Sequence, residues 1–261
     1  MTTHALSTTT RDGVNLRYLD VGSGDPPLVF IHGWCCDHSF WAPQVQAFSA
    51  NHRVVSVDLR GHGKSDKPDQ DYAIDGFAND VMWLCRELDI ERPVIIGHSM
   101  GGVIALNIAR RQPAMARALV FVDAGITPLP EHLRPVLAQT IEGLRSPDYR
   151  RVASSIVKDF MFRSESPEEL RDVVAGRMAA APQRVMHTAL ASTLSDENCP
   201  PGPLPVPSLF VRAATFLGTE DELRQRYPGL EVVEVDAAHF LHMEKPAEFN
   251  SILRRFLEEL R

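Results

Sequence analysis

The sequence predicts an α/β protein with a doubly wound, mostly parallel β-sheet and an inserted helical cap. Three observations carry this prediction. Short apolar runs rich in β-branched residues alternate along the chain with stretches of helical periodicity. Residues 127–200 interrupt that alternation with helical patterns alone. The length of 261 residues is enough for one large α/β domain with such an insertion.

The first predicted elements are three strands and a helix. Residues 15–22 alternate in period two and end at a Gly-Pro-rich turn, which is typical of a hairpin strand. Residues 27–33 and 53–61 are apolar runs that end at glycine, as expected for strands covered on both faces. Residues 72–90 place their apolar side chains at helical spacing, so a helix follows the third strand.

A strand, a helix and another strand come next. Residues 93–99 form a short apolar run, and residues 100–113 continue as a helical pattern that Pro113 ends. Residues 118–125 again have the composition of a buried strand. Because strands and helices alternate, the strands are expected to run parallel with helices on both faces of the sheet.

The helical insertion divides the predicted core. It is punctuated by prolines and closes with the proline-rich run at 199–207. The alternation then resumes with a strand, a helix, a strand and a final helix at 208–213, 219–227, 230–237 and 246–260. We therefore assign residues 1–126 and 201–261 to the core. Residues 127–200 are assigned to a cap above the carboxyl ends of the strands, where ligands bind in such sheets.

Composition narrows the classes of partner. A net charge of −7, with Lys and Arg scattered along the chain, argues against nucleic acid or an anionic membrane surface as partner. The longest apolar runs are too short to span a bilayer, and no secretory signal is visible at the N-terminus. No metal-ligand spacing is found, so we expect no metal, a cytoplasmic location and four free thiols: Cys35, Cys36, Cys85 and Cys199.

The motif "GHSMGG" at 97–102 lies between a predicted strand and a predicted helix. It matches the G-x-S-x-G nucleophile elbow, in which Ser99 would occupy a sharp, strained turn. Side chains at Gly97 and Gly101 would collide with the neighbouring strand and helix. The helix N-terminus points at the site, so the Met100 backbone N–H is a candidate donor to a developing oxyanion.

A second candidate donor follows the strand in "FIHGWCCD" at 30–37. A strand that ends in His-Gly is the usual place for the other oxyanion-hole donor, which we assign to the Trp34 backbone N–H. The Trp34 ring either lines the pocket or packs in the core. The Gly-rich loop "DLRGHGKSD" at 58–66 lacks phosphate-binding spacing and is interpreted as structural. Four further residues are predicted to line the substrate pocket: His32, Gly33, His98 and Phe216.

The candidate base is His239, on a loop between a predicted strand and the last helix. A histidine there would lie beside the end of the Ser99 strand and could take the serine proton. His242, three residues further on, is the competing candidate.

Together, "HGW", "DLRGHGKSD", "GHSMGG" and "HFLHMEKPAEF" resemble the α/β-hydrolase superfamily, and the resemblance covers nearly the whole chain except residues 127–200. It implies the α/β-hydrolase fold and a Ser-His-acid triad. The chain departs from the haloalkane dehalogenase and epoxide hydrolase branches, whose nucleophile is a carboxylate, because residue 99 is serine.

The third triad residue departs from the family pattern. Members commonly carry an acid shortly after the strand seen here at 208–213, but this chain has Ala-Ala-Thr-Phe at 213–216. Asp123, at the end of the preceding strand, is the main candidate, and some members of the family draw their acid from that position. Glu220 or Asp221 is the alternative, although both fit a helix first turn. A site without a functional acid also remains open.

Three functions are compatible with these residues. The first is an esterase-type serine hydrolase without a cofactor, acting as a monomer or homodimer on small carboxylic esters or lactones. The second is a cofactor-independent dioxygenase, because "HGWCCDHSFW" resembles the ring-cleaving quinolone dioxygenases of this fold, which use a His–Asp dyad. In this chain the dyad would be His239 and Asp123. The third is a non-catalytic ligand-binding member of the fold.

Overall fold

The computed structural model of the protein describes residues 5–260. Two parts of the predicted core lie outside the described residues: residues 1–4 at its N-terminal end, and residue 261. The described part contains an eight-stranded sheet with the order β1-β2-β4-β3-β5-β6-β7-β8. Its strands are β1 Ser7–Arg11, β2 Val14–Val21, β3 Leu28–Ile31, β4 Val54–Asp58, β5 Val94–His98, β6 Ala118–Val122, β7 Ser208–Ala213 and β8 Glu231–Val235.

The sheet is mostly parallel, as predicted. β1 pairs with β2 and β2 with β4 in antiparallel fashion, and every other neighbouring pair is parallel. All residues of β3, β4, β5 and β6 are buried. Continuous apolar runs are what parallel strands covered on both faces require, so these strands could be recognised from sequence.

Helices cover both faces of the sheet. The core helices are α1 Ala42–Phe48, α2 Ile74–Glu87, α3 Met100–Arg111, α8 Glu220–Arg226, α9 Leu241–Glu244 and α10 Pro246–Glu259. One hydrophobic cluster contains buried side chains of α2 and α3. A second cluster contains those of α1 and α10. The two clusters lie on opposite faces, so the chain has the doubly wound α/β fold that the sequence predicted.

Four helices occupy the segment between β6 and β7: α4 Arg134–Arg145, α5 Tyr149–Phe160, α6 Glu168–Met178 and α7 Gln183–Thr193. They contact loops at one edge of the sheet. The Met186 carbonyl accepts the Trp34 indole N–H at 2.8 Å. Arg177 pairs with Asp37 at 2.6 Å. Trp34 and Asp37 lie in the loop after β3, so α6 and α7 contact the chain at the carboxyl end of that strand.

Some elements were missed or misplaced at the sequence level. β1 was not predicted, because its sequence "STTTR" is polar and it is stabilised as an edge strand by β2. The seven-residue α1 and the four-residue α9 are too short for a clear helical period. None of the helices in residues 5–260 is both long and apolar enough to cross a membrane.

Candidate active site

Ser99 lies at a sharp turn between β5 and α3. Its backbone has φ 52° and ψ −117°, a combination that costs a non-glycine residue roughly 1–3 kcal/mol. Its N–H donates to the Val122 carbonyl at 2.9 Å, which ties the turn to β6. The side chain is partly exposed, although His98 and Met100 on either side are buried. The surrounding sheet therefore holds the strained turn. The turn places the partly exposed Ser99 side chain at the carboxyl edge of the sheet.

Two glycines allow the close approach of backbones that this turn needs. A Cβ atom at Gly97 would overlap the Gly101 carbonyl group, and one at Gly101 would overlap the Ile31 carbonyl oxygen. Any larger residue would push α3 away from β3 and β5. The glycine spacing in "GHSMGG" is thus explained by packing around the serine turn.

The loop after β3 lies against this turn. A Cβ atom at Gly33 would come within 3.3 Å of the Ser99 Cβ. The Gly33 carbonyl accepts the Cys36 N–H at 3.2 Å, and Cys35 has φ 56°, which together describe a type II turn. The turn fixes the peptide unit between Gly33 and Trp34 beside the serine.

His32 orients the same peptide unit. Its Nε2 accepts the Leu59 N–H at 3.1 Å, so the ring proton is on Nδ1 and is donated to the Gly33 carbonyl at 2.8 Å. Burial lowers the pKa of His32, which keeps the ring neutral. Because the amide group is planar and trans, a fixed Gly33 carbonyl also fixes the opposite direction of the Trp34 N–H. His32 therefore orients the peptide unit between Gly33 and Trp34, and its ring is fully buried.

The Trp34 ring packs in the interior. It is 2% exposed and donates its indole N–H to the Met186 carbonyl of α7. The ring thus has a packing role, because it joins the loop after β3 to the inserted helices.

Asp123 immediately follows β6 and is 5% exposed. Its N–H donates to the Val211 carbonyl at 2.9 Å, and its Oδ1 accepts the Ala213 N–H at 2.8 Å. Its φ of 43° turns the chain out of the strand, in a region where Asp is tolerated better than most residues. These contacts hold the carboxylate between the ends of β6 and β7.

His239 meets the second oxygen of that carboxylate. Its Nδ1 lies 2.6 Å from Asp123 Oδ2, and the imidazole is 18% exposed. The ionised carboxylate only accepts hydrogen bonds, so the Nδ1 atom carries the proton and Nε2 is left unprotonated in the neutral ring. Asp123 and His239, which are 116 positions apart in sequence, are thus brought together as a hydrogen-bonded pair.

The competing residues lie elsewhere. Glu220 pairs with Arg224 at 2.6 Å within α8, and Thr219 and Glu222 form a capping box at the start of that helix. Glu220 and Asp221 therefore serve the first turn of α8, an ordinary position for acids. His242 is fully buried, and its two ring nitrogens have no partner among residues 5–260.

Phe216 is half-buried and contacts Phe210 of β7 edge-on, with ring centroids 5.1 Å apart. It belongs to the partly buried residues packed against the larger hydrophobic cluster. The aromatic side chain thus has a packing role at the position where the sequence resemblance led us to expect an acid, and its place in a substrate pocket stays a prediction.

One group of residues has metal-ligand geometry. Ligand atoms of Asp37, His38 and Asp58 lie within 4.8 Å of one another. Each is already engaged, however: Arg177 pairs with Asp37, and His38 Nδ1 lies 2.8 Å from Asp58 Oδ1. Asp58 also accepts the backbone N–H of Lys64 at 2.7 Å. The group therefore organises the loops after β3 and β4, consistent with the structural interpretation of residues 58–66.

Contacts of the His239 loop were missed at the sequence level. The His239 N–H donates to the Met161 carbonyl at 3.2 Å, and Arg163 pairs with Asp236 at 2.7 Å. Ser166 donates to Glu244 at 3.0 Å. These contacts join the segment after α5 to the loop after β8 and to α9. No local sequence pattern signals them, because the partners are distant in the chain and two of the bonds involve backbone or exposed groups.

A serine at a sharp strand–helix turn, a buried carboxylate paired with a partly buried imidazole, and an adjoining glycine loop thus lie at the carboxyl edge of the sheet, an arrangement typical of α/β hydrolases. A family model described as the alpha/beta hydrolase fold matches residues 26–246. The chain belongs to this family.

Similar proteins agree with this assignment. The chain is 28% identical over 261 residues to the AB hydrolase superfamily protein YisY of Bacillus subtilis, covering 95% of this chain and 97% of that protein. It is 26% identical over 264 residues to 3-oxoadipate enol-lactonase 1 of Acinetobacter baylyi, covering 98% of each. The solved structure of Est816, described as an N-acyl homoserine lactone degrading enzyme, matches with a TM-score of 0.81 and 26% identity, over 96% of this chain and 100% of that one.

Proposed function

We propose that the protein is a serine hydrolase that cleaves small carboxylic esters or lactones through an acyl-enzyme on Ser99. His239 is the base and Asp123 the acid of the triad. The observation that carries the proposal is the 2.6 Å contact between His239 Nδ1 and Asp123 Oδ2, beside a strained serine at the adjacent strand end. The pair lies at the carboxyl edge of the sheet next to Ser99, whose backbone N–H donates to Val122, the residue before Asp123.

The proposed first step transfers the Ser99 proton to His239 Nε2 while the serine oxygen attacks the acyl carbon. Asp123 stabilises the imidazolium that forms and keeps its ring in one tautomer. The imidazolium then returns the proton to the leaving alkoxide, and an acyl-enzyme remains. Water, deprotonated by the same Nε2, then attacks the acyl carbon. The bond to the Ser99 oxygen breaks, the imidazolium returns its proton to that oxygen, and the acid is released.

The oxyanion that develops on the substrate carbonyl is assigned to two backbone donors. Met100 is the first residue of α3, and the first N–H groups of a helix have no acceptor within the helix. The Trp34 N–H is directed by the anchored Gly33 carbonyl. Donors that are fixed before the reaction stabilise the charge without reorganisation, and removing one such donor typically costs about 10²–10³-fold in kcat.

The substrate class follows from the inserted helices and from the relatives. We assign residues 127–200 to a cap over the core of residues 1–126 and 201–261. Its buried side chains are mainly aliphatic, among them Val174, Met178 and Met186, which favours small apolar acyl groups over peptides. The enol-lactonase and the homoserine lactone degrading enzyme add lactones to the candidates.

We assign the protein to the cytoplasm as a monomer or homodimer, with a small molecule as its partner.

Two assays test this function. A panel of p-nitrophenyl esters and lactones of increasing acyl length should be hydrolysed by the wild type, and Ser99→Ala should lose at least about 10³-fold in kcat. Oxygen uptake with a hydroxyquinolone tests the dioxygenase alternative, in which the His239–Asp123 dyad deprotonates the substrate and Ser99 is not a nucleophile. Oxygen uptake without ester turnover would overturn the proposal. The absence of both activities would favour the ligand-binding alternative.

A further inference from the structure

His98 directly precedes Ser99 and makes a hydrogen bond that the proposed mechanism does not use. It is the last residue of β5, is 1% exposed, and places its Nε2 atom 3.0 Å from the His239 carbonyl oxygen. A carbonyl oxygen only accepts, so the His98 proton must be on Nε2 and is donated to His239. This single hydrogen bond connects the residue next to the proposed nucleophile with the proposed base, 141 positions away.

The bond completes a set of restraints on His239. The His239 N–H is held by the Met161 carbonyl at 3.2 Å, and its carbonyl is held by His98. Asp123 holds the ring. Backbone and side chain are thus fixed from three separate elements. If the His98 bond is removed, the peptide unit after His239 is free to rotate, and the ring can leave its alignment with Ser99.

The surroundings of His98 keep its imidazole ring neutral. Burial lowers the pKa of His98 well below its usual value, and the neighbouring His242 and His239 act in the same direction. The His98 ring lies 4.6 Å from the His239 ring and 4.6 Å from the His242 ring, measured between centroids. Burial likewise lowers the pKa of His242 to about 3. Among residues 5–260, Asp123 is the residue that pairs with the His239 ring, at 2.6 Å.

We propose that His98 is a positioning residue for catalysis, which locks the backbone of His239 to the strand that carries Ser99. The proposal deepens the function proposed above and rests on it for its kinetic consequences. His98 does not contact the reacting atoms through this bond. It acts by holding the Ser99–His239 geometry while the proton moves to and from the imidazole.

Variants of His98 separate positioning from packing. Phenylalanine retains a planar ring among the neighbouring aromatic rings but has no donor. Glutamine places an amide nitrogen at the same number of bonds from Cβ as the histidine Nε2, so it can donate to the His239 carbonyl. Asparagine is polar and small, and its donor is one bond too short. If only the donor matters, His98→Gln should retain function whereas His98→Phe and His98→Asn should not.

The expected kinetic result is a change in kcat with little change in KM. For hydrolysis of p-nitrophenyl acetate, His98→Phe and His98→Asn should lower kcat about 10–100-fold, the usual effect of removing an outer partner of a functional histidine. KM should change less than about threefold. His98→Gln should recover kcat to within about fivefold of the wild type. His98→Asn decides the matter if His98→Phe does not fold.

A second readout does not depend on turnover. The His239 Nδ1 proton, shared with Asp123, should give a downfield resonance in the proton NMR spectrum of the wild type, identified by its loss in His239→Gln. This resonance should broaden or disappear in His98→Phe and persist in His98→Gln. A packing defect would lower the melting temperature without this selective effect.

His52 provides a matched control. It is also buried, at 7% exposure, and its Nδ1 lies 2.9 Å from the Pro26 carbonyl at the amino end of the sheet. His52→Phe should lower the melting temperature while leaving kcat and the downfield resonance unchanged. The inference is wrong if His98→Phe and His98→Asn retain wild-type kcat and resonance, or if His98→Gln loses as much as they do. Absence of ester turnover in the wild type would reject the proposed function alone, because the NMR comparison would still decide the position of His239.

Discussion

Asp123 bridges two strand ends to reach His239: its Oδ1 accepts the Ala213 N–H of β7, while its Oδ2 lies 2.6 Å from His239 Nδ1. The carboxylate thus comes from the end of β6, whereas the loop after β7 contains Phe216 at the position where the sequence resemblance led us to expect the acid. Both carboxylate oxygens of Asp123 are therefore engaged by protein groups, which fixes the orientation of the side chain. This relationship is the basis of the proposed triad.

Asp123→Asn should lower kcat for ester hydrolysis by up to about 10⁴-fold. The asparagine oxygen can still accept the Ala213 N–H, but its amide nitrogen would face His239 Nδ1 and force the ring proton onto Nε2. The imidazole could then no longer accept the serine proton. Stopped-flow or steady-state turnover of p-nitrophenyl acetate measures the loss, and urea unfolding checks that the fold is retained. Glu220→Gln, the matched control, should retain full activity.

Trp34→Phe should separate the ring of Trp34 from its backbone N–H. The variant loses the indole bond to the Met186 carbonyl, which should cost about 1–2 kcal/mol in the free energy of unfolding. KM should rise because α7 is no longer tied to the loop, while kcat should fall less than about tenfold because the backbone donor remains. Trp83→Phe, at a half-buried tryptophan of α2, is the control. A loss of kcat as large as that of Asp123→Asn would show that the ring itself takes part in the reaction.

His242→Phe should make the protein less sensitive to acid. Burial lowers the pKa of His242 to about 3, from 6.5 in the unfolded chain, so below pH 6.5 the unfolded state binds a proton that the folded state does not. Stability is therefore lost as the pH falls. Between pH 7 and pH 5 the variant should lose about 2 kcal/mol less unfolding free energy than the wild type. Urea unfolding at the two pH values measures this, with the exposed His132→Gln as control; equal losses would contradict it.

His38→Gln should change the pH dependence of stability in the opposite direction. Burial opposes the charged form of His38, but the hydrogen bond and charge of Asp58 outweigh it and raise the pKa. The contribution of His38 is thus fully present below pH 6.5 and is lost as the pH rises through the raised value. Urea unfolding from pH 6 to about pH 9 should show a smaller decline for the variant than for the wild type. An identical decline would mean that the pair adds no charge-dependent stability.

Strands and helices could be predicted where the residue types within a segment indicate that the segment is buried. Strands such as β3 and β5 are covered on both faces, so their apolar runs are visible without any knowledge of their neighbours. β1 was missed because its polar residues depend on pairing with β2. The same distinction explains α9, which has four residues and is defined by packing and not by a helical period.

The candidate site was predictable where the backbone demands particular residues. Gly97 and Gly101 indicate the serine turn because no side chain fits there. Asp123 became the candidate acid because the segment that contains Phe216 has no carboxylate. The contacts of His239 with Met161 and His98 were not foreseen. They join segments far apart in the chain through backbone carbonyls, which carry no sequence signal.

The most direct test of the proposed triad is the rate at which a fluorophosphonate phosphonylates Ser99, followed by intact-protein and peptide mass spectrometry. We predict a single adduct on Ser99 in the wild type and in Glu220→Gln at equal rates, no adduct in Ser99→Ala, and labelling slowed by at least about 10²-fold in Asp123→Asn. Labelling of Ser99 that is equally fast in Asp123→Asn, or an adduct on another residue, would contradict the claim that Asp123 aligns His239 to activate Ser99.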